Sequence, residues 1–189
     1  MSYTKLPIDS IYYKPFLSKN SRSNHQHFQP NLELFNSNDN KNFIKLGGIK
    51  INNSKSLIAH SDADVLLHAI TDSILGIVNK GDIGSFFPPT DDKWKNADSS
   101  IFLKYASNLL KEVGGIINNI DAIVICEKPK ILNYSQEIKD NIAKILEINP
   151  NIISVKGKTS ESIGFIGRQE GIAAMVVTSA QVINDNFDA

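Results

Sequence analysis

The chain reads as an α+β protein, a two-layer sandwich of one mostly antiparallel sheet with helices on one face. Three observations predict this. Apolar residues recur at three- and four-residue spacing in separate stretches, and β-branched runs stand between and after them. The two kinds of segment alternate without the regular beat of a doubly wound fold. At 189 residues with 41% hydrophobic content, the chain can bury one sizeable core.

Residues 18–42 are dominated by Asn, Ser, Lys and Gln and offer too little apolar surface to offset the entropy of ordering them. The expected boundary is therefore near Asn42, with 1–42 a polar, disordered or atypical arm and 43–189 the folded domain. Before Glu33 the only acid is Asp9, against Lys5, Lys14, Lys19 and Arg22. That start fits a remnant targeting segment or a disordered arm, and composition favours the arm.

From Phe43 the character changes. Phe43-Ile-Lys-Leu, Gly47-Gly48 and Ile49-Lys-Ile-Asn predict a hairpin that begins the folded part. Asp62 can cap a helix to about Asn79, with Val65, Leu66, Ala69, Ile70 and Ile74 supplying apolar surface. A second helix follows Ser99, carries Phe102, Ala106, Leu109, Leu110 and Val113, and stops at Gly114-Gly115. Ile123-Val-Ile marks a strand over 116–126, and Ile138, Ile142, Ile145 and Leu146 a helix over 135–148. Strands over 152–155 and 171–182 complete the reading.

Twenty basic and twenty acidic residues cancel, which removes the positive field expected of a protein that holds nucleic acid by its backbone. The lone Cys126 allows neither an internal disulfide nor a tetrathiolate metal site, and fits a reducing compartment. No apolar run approaches membrane-spanning length, so a soluble protein is expected.

Within the first helix Asp64, His68 and Asp72 recur every four residues and form one polar line on an otherwise apolar element, with His60 just outside it. Such groups must meet a metal, a ligand or matching polar partners. Spacing alone reads equally as a solvated stripe or a hydrogen-bonded core histidine. Imidazole suits zinc, and His60 and Ser61 lie where a helix amino end favours a phosphate.

Residues 59–68 (Ala-His-Ser-Asp-Ala-Asp-Val-Leu-Leu-His) are followed in order by Gly81-Asp-Ile-Gly84, Phe87-Pro88 and Ala97-Asp98-Ser99. Then come Pro129-Lys130, Val155-Lys-Gly-Lys-Thr-Ser-Glu161 and Gly164-Phe-Ile-Gly-Arg168. Together these motifs, over about residues 43–184, resemble the 2-C-methyl-D-erythritol 2,4-cyclodiphosphate synthase family. The resemblance implies conversion of 4-diphosphocytidyl-2-C-methyl-D-erythritol 2-phosphate into the cyclic diphosphate with release of CMP, in the non-mevalonate isoprenoid pathway. It implies a homotrimer with active sites between subunits, acting in the cytoplasm of a bacterium or the plastid stroma of a eukaryote. Neither nucleic acid nor membrane is an expected partner.

Carried over by motif, His60 and Thr159 steady the transition state, and Ser61 holds phosphate. Asp82, Ile83 and Gly84 grip the methylerythritol part, and Phe87, Pro88, Thr90 and Asp91 belong to an adjoining loop. That loop departs from the pattern at Pro89, where an aspartate is usual. Cys126, Lys128, Pro129, Lys130, Ile131 and Leu132 form the cytidine pocket, with Lys158, Ser160 and Glu161 on the partner segment. His68 is the expected ligand of one zinc ion per site, and Glu161 of a magnesium or manganese ion bridging the diphosphate. Phe165 and Arg168 resemble residues facing the threefold axis, where an isoprenoid diphosphate can sit.

The family's two further zinc ligands, Asp-x-His, have no counterpart in this sequence. A gapless count back from Gly47-Gly48 puts Leu34 and Asn36 there, and neither is a zinc ligand. His25 and His27 are the nearest substitutes. The gap raises two competing readings: a trimeric cytidine-nucleotide-binding protein without turnover, and a zinc-dependent phosphate-ester hydrolase.

Overall fold

The computed structural model describes residues 23–36 and 42–182. In chain order they form β1 (Ser23–Asn36), β2 (Phe43–Leu46), β3 (Ile49–Asn52), β4 (Ser56–Ile58), α1 (Val65–Ile77), the one-turn α2 (Ile83–Phe86) and α3 (Ser99–Glu112). There follow β5 (Ile116–Ile125), α4 (Ser135–Leu146), β6 (Ile153–Lys158), the one-turn α5 (Gly164–Gly167) and β7 (Gly171–Val182). The main sheet has the order β4-β1-β7-β5-β6, and β2 and β3 pair separately as the expected hairpin. Only β5 and β6 run parallel, because α4 carries the chain back between them; the other neighbours are antiparallel.

The expected boundary at Asn42 is corrected by β1, which pairs with β7 from Ser23 opposite Val182 to Leu34 opposite Gly171. The domain therefore includes residues 23–36, and the hairpin is not its first element. Composition undervalues such a strand because ladder hydrogen bonds are made by the backbone, whatever the side chains. Residues 1–22 and 37–41 lie outside the described residues, as does the rest of the expected arm.

The sheet has two unlike faces. Ile172, Ala174, Val176 and Thr178 of β7, with Ile120, Ala122 and Val124 of β5, are buried under the helices. Against them α1 packs Leu66, Leu67, Ile70 and Ile74, all fully buried. Each such side chain contributes about 1.5–3 kcal/mol on leaving water. On the opposite face Phe28, Leu32, Leu34 and Ile58 are exposed, at 45–59%. Opposite Phe28 and Pro30 stand the half-buried Val177 and Met175 of β7.

The cap of helix α1 is Asp64, two residues later than the cap expected at Asp62. Ala63 takes a left-handed φ of 62°, which interrupts any helical run, and the Asp64 carboxylate accepts the Leu67 N–H at 2.9 Å. Asp62 is thereby released to bind Lys45 and Ser99. Helix α3 is capped by Asp98 and ends before Gly114, as its glycine pair predicts.

Candidate active site

The polar line on α1 meets partners along its whole length. Asp64, fully buried, accepts the N–H groups of Gly47 at 2.9 Å and Gly48 at 2.6 Å besides its cap, tying the hairpin turn to the helix. Burial still pushes its carboxyl above the usual carboxylate range, against these three donors. Asp72 accepts the Ile83 N–H at 2.8 Å and so fixes the first residue of α2. Burial raises its carboxyl, with Asp82 adding to the effect.

His68 sits between two sets of groups. Its Nε2 lies 2.9 Å from Ser99 Oγ and 3.1 Å from Ser61 Oγ. Ser99 spends its hydroxyl proton on the Asp62 carboxylate, so it accepts from His68, and Nε2 must carry the proton. Ser61 then faces a donor and keeps its own proton for an anion in the pocket. Burial alone would lower the imidazole's proton affinity, but Glu33, Asp64 and Asp62 outweigh it and hold it above the usual value.

Glu33 is the residue that the sequence reading missed. Its Oε1 lies 3.5 Å from His68 Nδ1, and it lines the same pocket. The gapless count was one residue out: Leu34 is exposed on the opposite face of the sheet, so Glu33 and Phe35 of the alternating strand occupy the helix side. His27 is no substitute ligand. Its ring packs at Gly76, and six residues of extended strand put it about 20 Å from Glu33. The His25 backbone, opposite Ala180, is further still.

Zinc bound by two donors in tetrahedral geometry separates them by about 3.4 Å, given bonds of ~2.0–2.2 Å. The Glu33–His68 distance of 3.5 Å matches one edge of such a site. A catalytic zinc takes three protein donors, however, and Phe35 offers none. Among the described residues no three His, Cys, Asp or Glu side chains converge where they could hold a metal. These residues do not fit a resident zinc ion.

The pocket that holds Glu33, His60, Ser61 and His68 is about 180 Å³ and is walled by Ile83, Phe87, Pro89, Trp94 and Phe102. Trp94 and Phe102 were not anticipated as site residues; Phe87 meets Trp94 edge to face at 4.8 Å and Phe102 at a tilt at 4.5 Å between centroids. Pro89, the departure in the loop, stands in the wall. His60 is 3.2 Å from the Asp91 carbonyl, which can only accept, so its Nε2 donates there and its Nδ1 is left for the pocket. Asp82 caps α2 through the Ser85 N–H, whereas Thr90 and Pro88 do not line the cavity.

The remaining expected residues gather elsewhere. Cys126, Pro129, Lys130, Ile131 and Leu132, just after β5, line a second pocket of about 710 Å³ with Lys158 at the end of β6 and with Thr159 and Glu161 beyond it. The parallel β5–β6 pairing brings these two segments side by side, Ile125 being in register with Lys158. Glu127 accepts from Ser160 N, Ser160 Oγ and Ser162 N, at 3.0–3.2 Å, and so shapes the loop that presents Thr159 and Glu161. Thr159 donates to Glu161. Burial and the neighbouring Glu127 push the Cys126 thiol up to about 12, which excludes it as a nucleophile at neutral pH. Lys128 and Ser160 do not line this pocket. Glu161, a single exposed carboxylate, suits magnesium, which takes few protein ligands and completes its shell with phosphate and water. Phe165 and Arg168 lie apart on and after α5, with Arg168 paired to Glu170 at 2.8 Å.

Residues 32–181 match the model of the YgbB family. The 2-C-methyl-D-erythritol 2,4-cyclodiphosphate synthase of Clostridium kluyveri is 53% identical over 132 residues, spanning 70% of this chain and 80% of that protein. That of Ehrlichia ruminantium is 51% identical over 146 residues, 77% and 84% respectively. Among solved structures, the IspF protein of Plasmodium falciparum in its CDP complex superposes with a TM-score of 0.75 at 36% identity, covering 88% of this chain and 100% of that one. The bifunctional IspDF of Campylobacter jejuni gives a TM-score of 0.81 at 37% identity and covers 87% of this chain. The chain spans 44% of that protein, and 36% of the bifunctional enzyme of Rhizorhabdus wittichii.

Proposed function

This chain belongs to the YgbB family, and from that premise we propose that it converts 4-diphosphocytidyl-2-C-methyl-D-erythritol 2-phosphate into 2-C-methyl-D-erythritol 2,4-cyclodiphosphate with release of CMP. The observation that carries the reading is the division of the expected site residues between two pockets of complementary chemistry. One offers His60 and the Ser61 hydroxyl proton beside an apolar wall; the other offers Lys158, Thr159 and Glu161 beside the β5 end. The relative solved with CDP supports assigning the second pocket to the cytidine diphosphate.

In this reaction an oxygen of the substrate's own 2-phosphate attacks the β-phosphorus. A P–O bond forms there as the bond from the β-phosphorus to the bridging oxygen breaks, and the electron pair leaves with CMP. No protein nucleophile is needed, so the protein acts by folding the substrate on itself and by placing donors where charge builds. Ser61 donates its free proton to one phosphate; on the other side the Thr159 hydroxyl, whose proton goes to Glu161, orients that carboxylate toward the substrate. Asp72, through the Ile83 N–H, holds the segment that grips the methylerythritol part. Glu161 would hold a magnesium ion, which when bound would supply positive charge beside the departing CMP.

The two pockets share no lining residue, and the reaction needs both. We therefore place each site between subunits of a homotrimer, built over the apolar outer sheet face. Following the substrate by phosphorus NMR tests the reading: cyclic diphosphate with equimolar CMP is expected. An open-chain phosphate would mark a hydrolase, and retained cytidine diphosphate without product would mark a binding protein.

A further inference from the structure

We infer that, among the described residues, Glu33 and His68 form a two-donor site that holds no resident zinc ion, and that Phe35 is what denies it a third donor. Three observations lead there. Glu33 Oε1 and His68 Nδ1 lie 3.5 Å apart, the spacing of two corners of a tetrahedral zinc site. The His68 ring is fixed in the orientation that aims Nδ1 at Glu33, because Nε2 is engaged by Ser99 and Ser61. The next helix-side residue of β1 after Glu33 is Phe35, which packs on the core and contributes no lone pair.

The surroundings of Phe35 oppose a dication as well. The Lys55 ammonium lies 5.8 Å from the centre of its ring and is anchored 2.7 Å from the Gln169 carbonyl. A fixed positive charge therefore flanks the corner where a third donor would stand. Two donors leave an ion held mainly by water, and it exchanges freely with solvent. The site is otherwise preorganised, so a histidine at position 35 would complete the three-donor set in one step.

The experiment counts metal on the full chain and does not depend on turnover. A zinc-free enzyme and a zinc-free binding protein give the same count, so its failure is distinct from failure of the proposed activity. Wild-type protein, dialysed against zinc chloride and then buffer, is expected to retain less than about a tenth of an equivalent by mass spectrometry, and Phe35→His roughly one. Calorimetric titration with zinc chloride is expected to show at least about a hundredfold tighter binding to Phe35→His, lost again when Glu33→Gln is added. About one zinc per wild-type chain would overturn the inference, and so would a Phe35→His protein of native circular dichroism that gains none. Should Phe35→His fail to fold, the wild-type titration decides: weak binding upholds the inference and tight binding refutes it.

Discussion

Asp64 joins three backbone donors, the N–H groups of Gly47, Gly48 and Leu67. Removing it strands those donors inside the protein, and each buried unpaired group costs about 1–3 kcal/mol. Asp64→Ala is accordingly expected to lose about 3 kcal/mol or more in urea denaturation. A loss below ~1 kcal/mol would mean that the turn and the helix are held by other contacts. Chemistry is expected to respond to different residues. Thr159→Val should lower kcat by about ten- to a hundredfold, as the loss of a group that orients a ligand does, with little change in melting temperature because Thr159 is exposed. Glu33 shows why one important side chain escaped the sequence. An error of one in the count back from Gly47 selects Leu34 and Asn36, and in a strand such a slip exchanges one face for the other. Nothing in the composition around Glu33 marks which face is inward, since Leu34 is apolar and exposed while Glu33 is polar and turned to the helices.

Elements that bury continuous apolar runs were readable, and those held by backbone pairing were not. Helices α1, α3 and α4 and strands β5 and β7 follow their hydrophobic periodicity to within a few residues, because burial is what fixes them. Strand β1 carries Asn, Gln and His through its length and is held by its ladder to β7. Strand β4, three residues long, has no signal of its own. Site segments after β5 and β6 were identifiable as motifs, but their meeting depends on the parallel pairing of those strands, which no local pattern announces. The β2–β3 turn makes a sharper demand. Gly47 has a φ of +63°, and a Cβ there would come within 2.5 Å of Ile138 Cγ2 on α4. Gly47→Ala combines left-handed strain with overpacking and is expected to cost about 2–4 kcal/mol, measured by thermal melting. A variant as stable as wild type would show that the turn can shift away from α4.

For the molecule as a whole, one cation ties three parts together. Lys45 on the hairpin reaches Asp62 before α1 at 2.8 Å and Asp98 at the start of α3 at 2.9 Å. Burial alone would lower the Lys45 pKa, but the two carboxylates raise it to about 12; Asp98, despite its burial, is held at about 2 by Ser100 and Lys45. Asp98 in the folded state lies below its ordinary value of 3.8, so the unfolded chain protonates first and this stability is lost as pH falls from about 4 to 2. Lys45 lies above its ordinary 10.5, so its contribution is full below that value and is lost as pH rises towards 12. The stability difference between wild type and Lys45→Met should therefore be flat at neutral pH and shrink in both windows, by denaturation at fixed ionic strength. A pH-independent difference would assign the effect to packing of the lysine stem. On the outer sheet face, Val177→Asp is expected to sediment as a monomer, because it sets a charge amid Phe28 and Met175 in the proposed interface.

The disjoint linings of the two pockets also make a prediction in the language of genetics. His60→Ala and Thr159→Val are each expected to leave little activity alone, and they damage opposite halves of the proposed shared site. Chains unfolded and reassembled as an equal mixture should place an intact half against an intact half at roughly a quarter of the interfaces. Two defective alleles would then complement one another within a single assembly, and recovery near that fraction would show that neither chain owns a complete site.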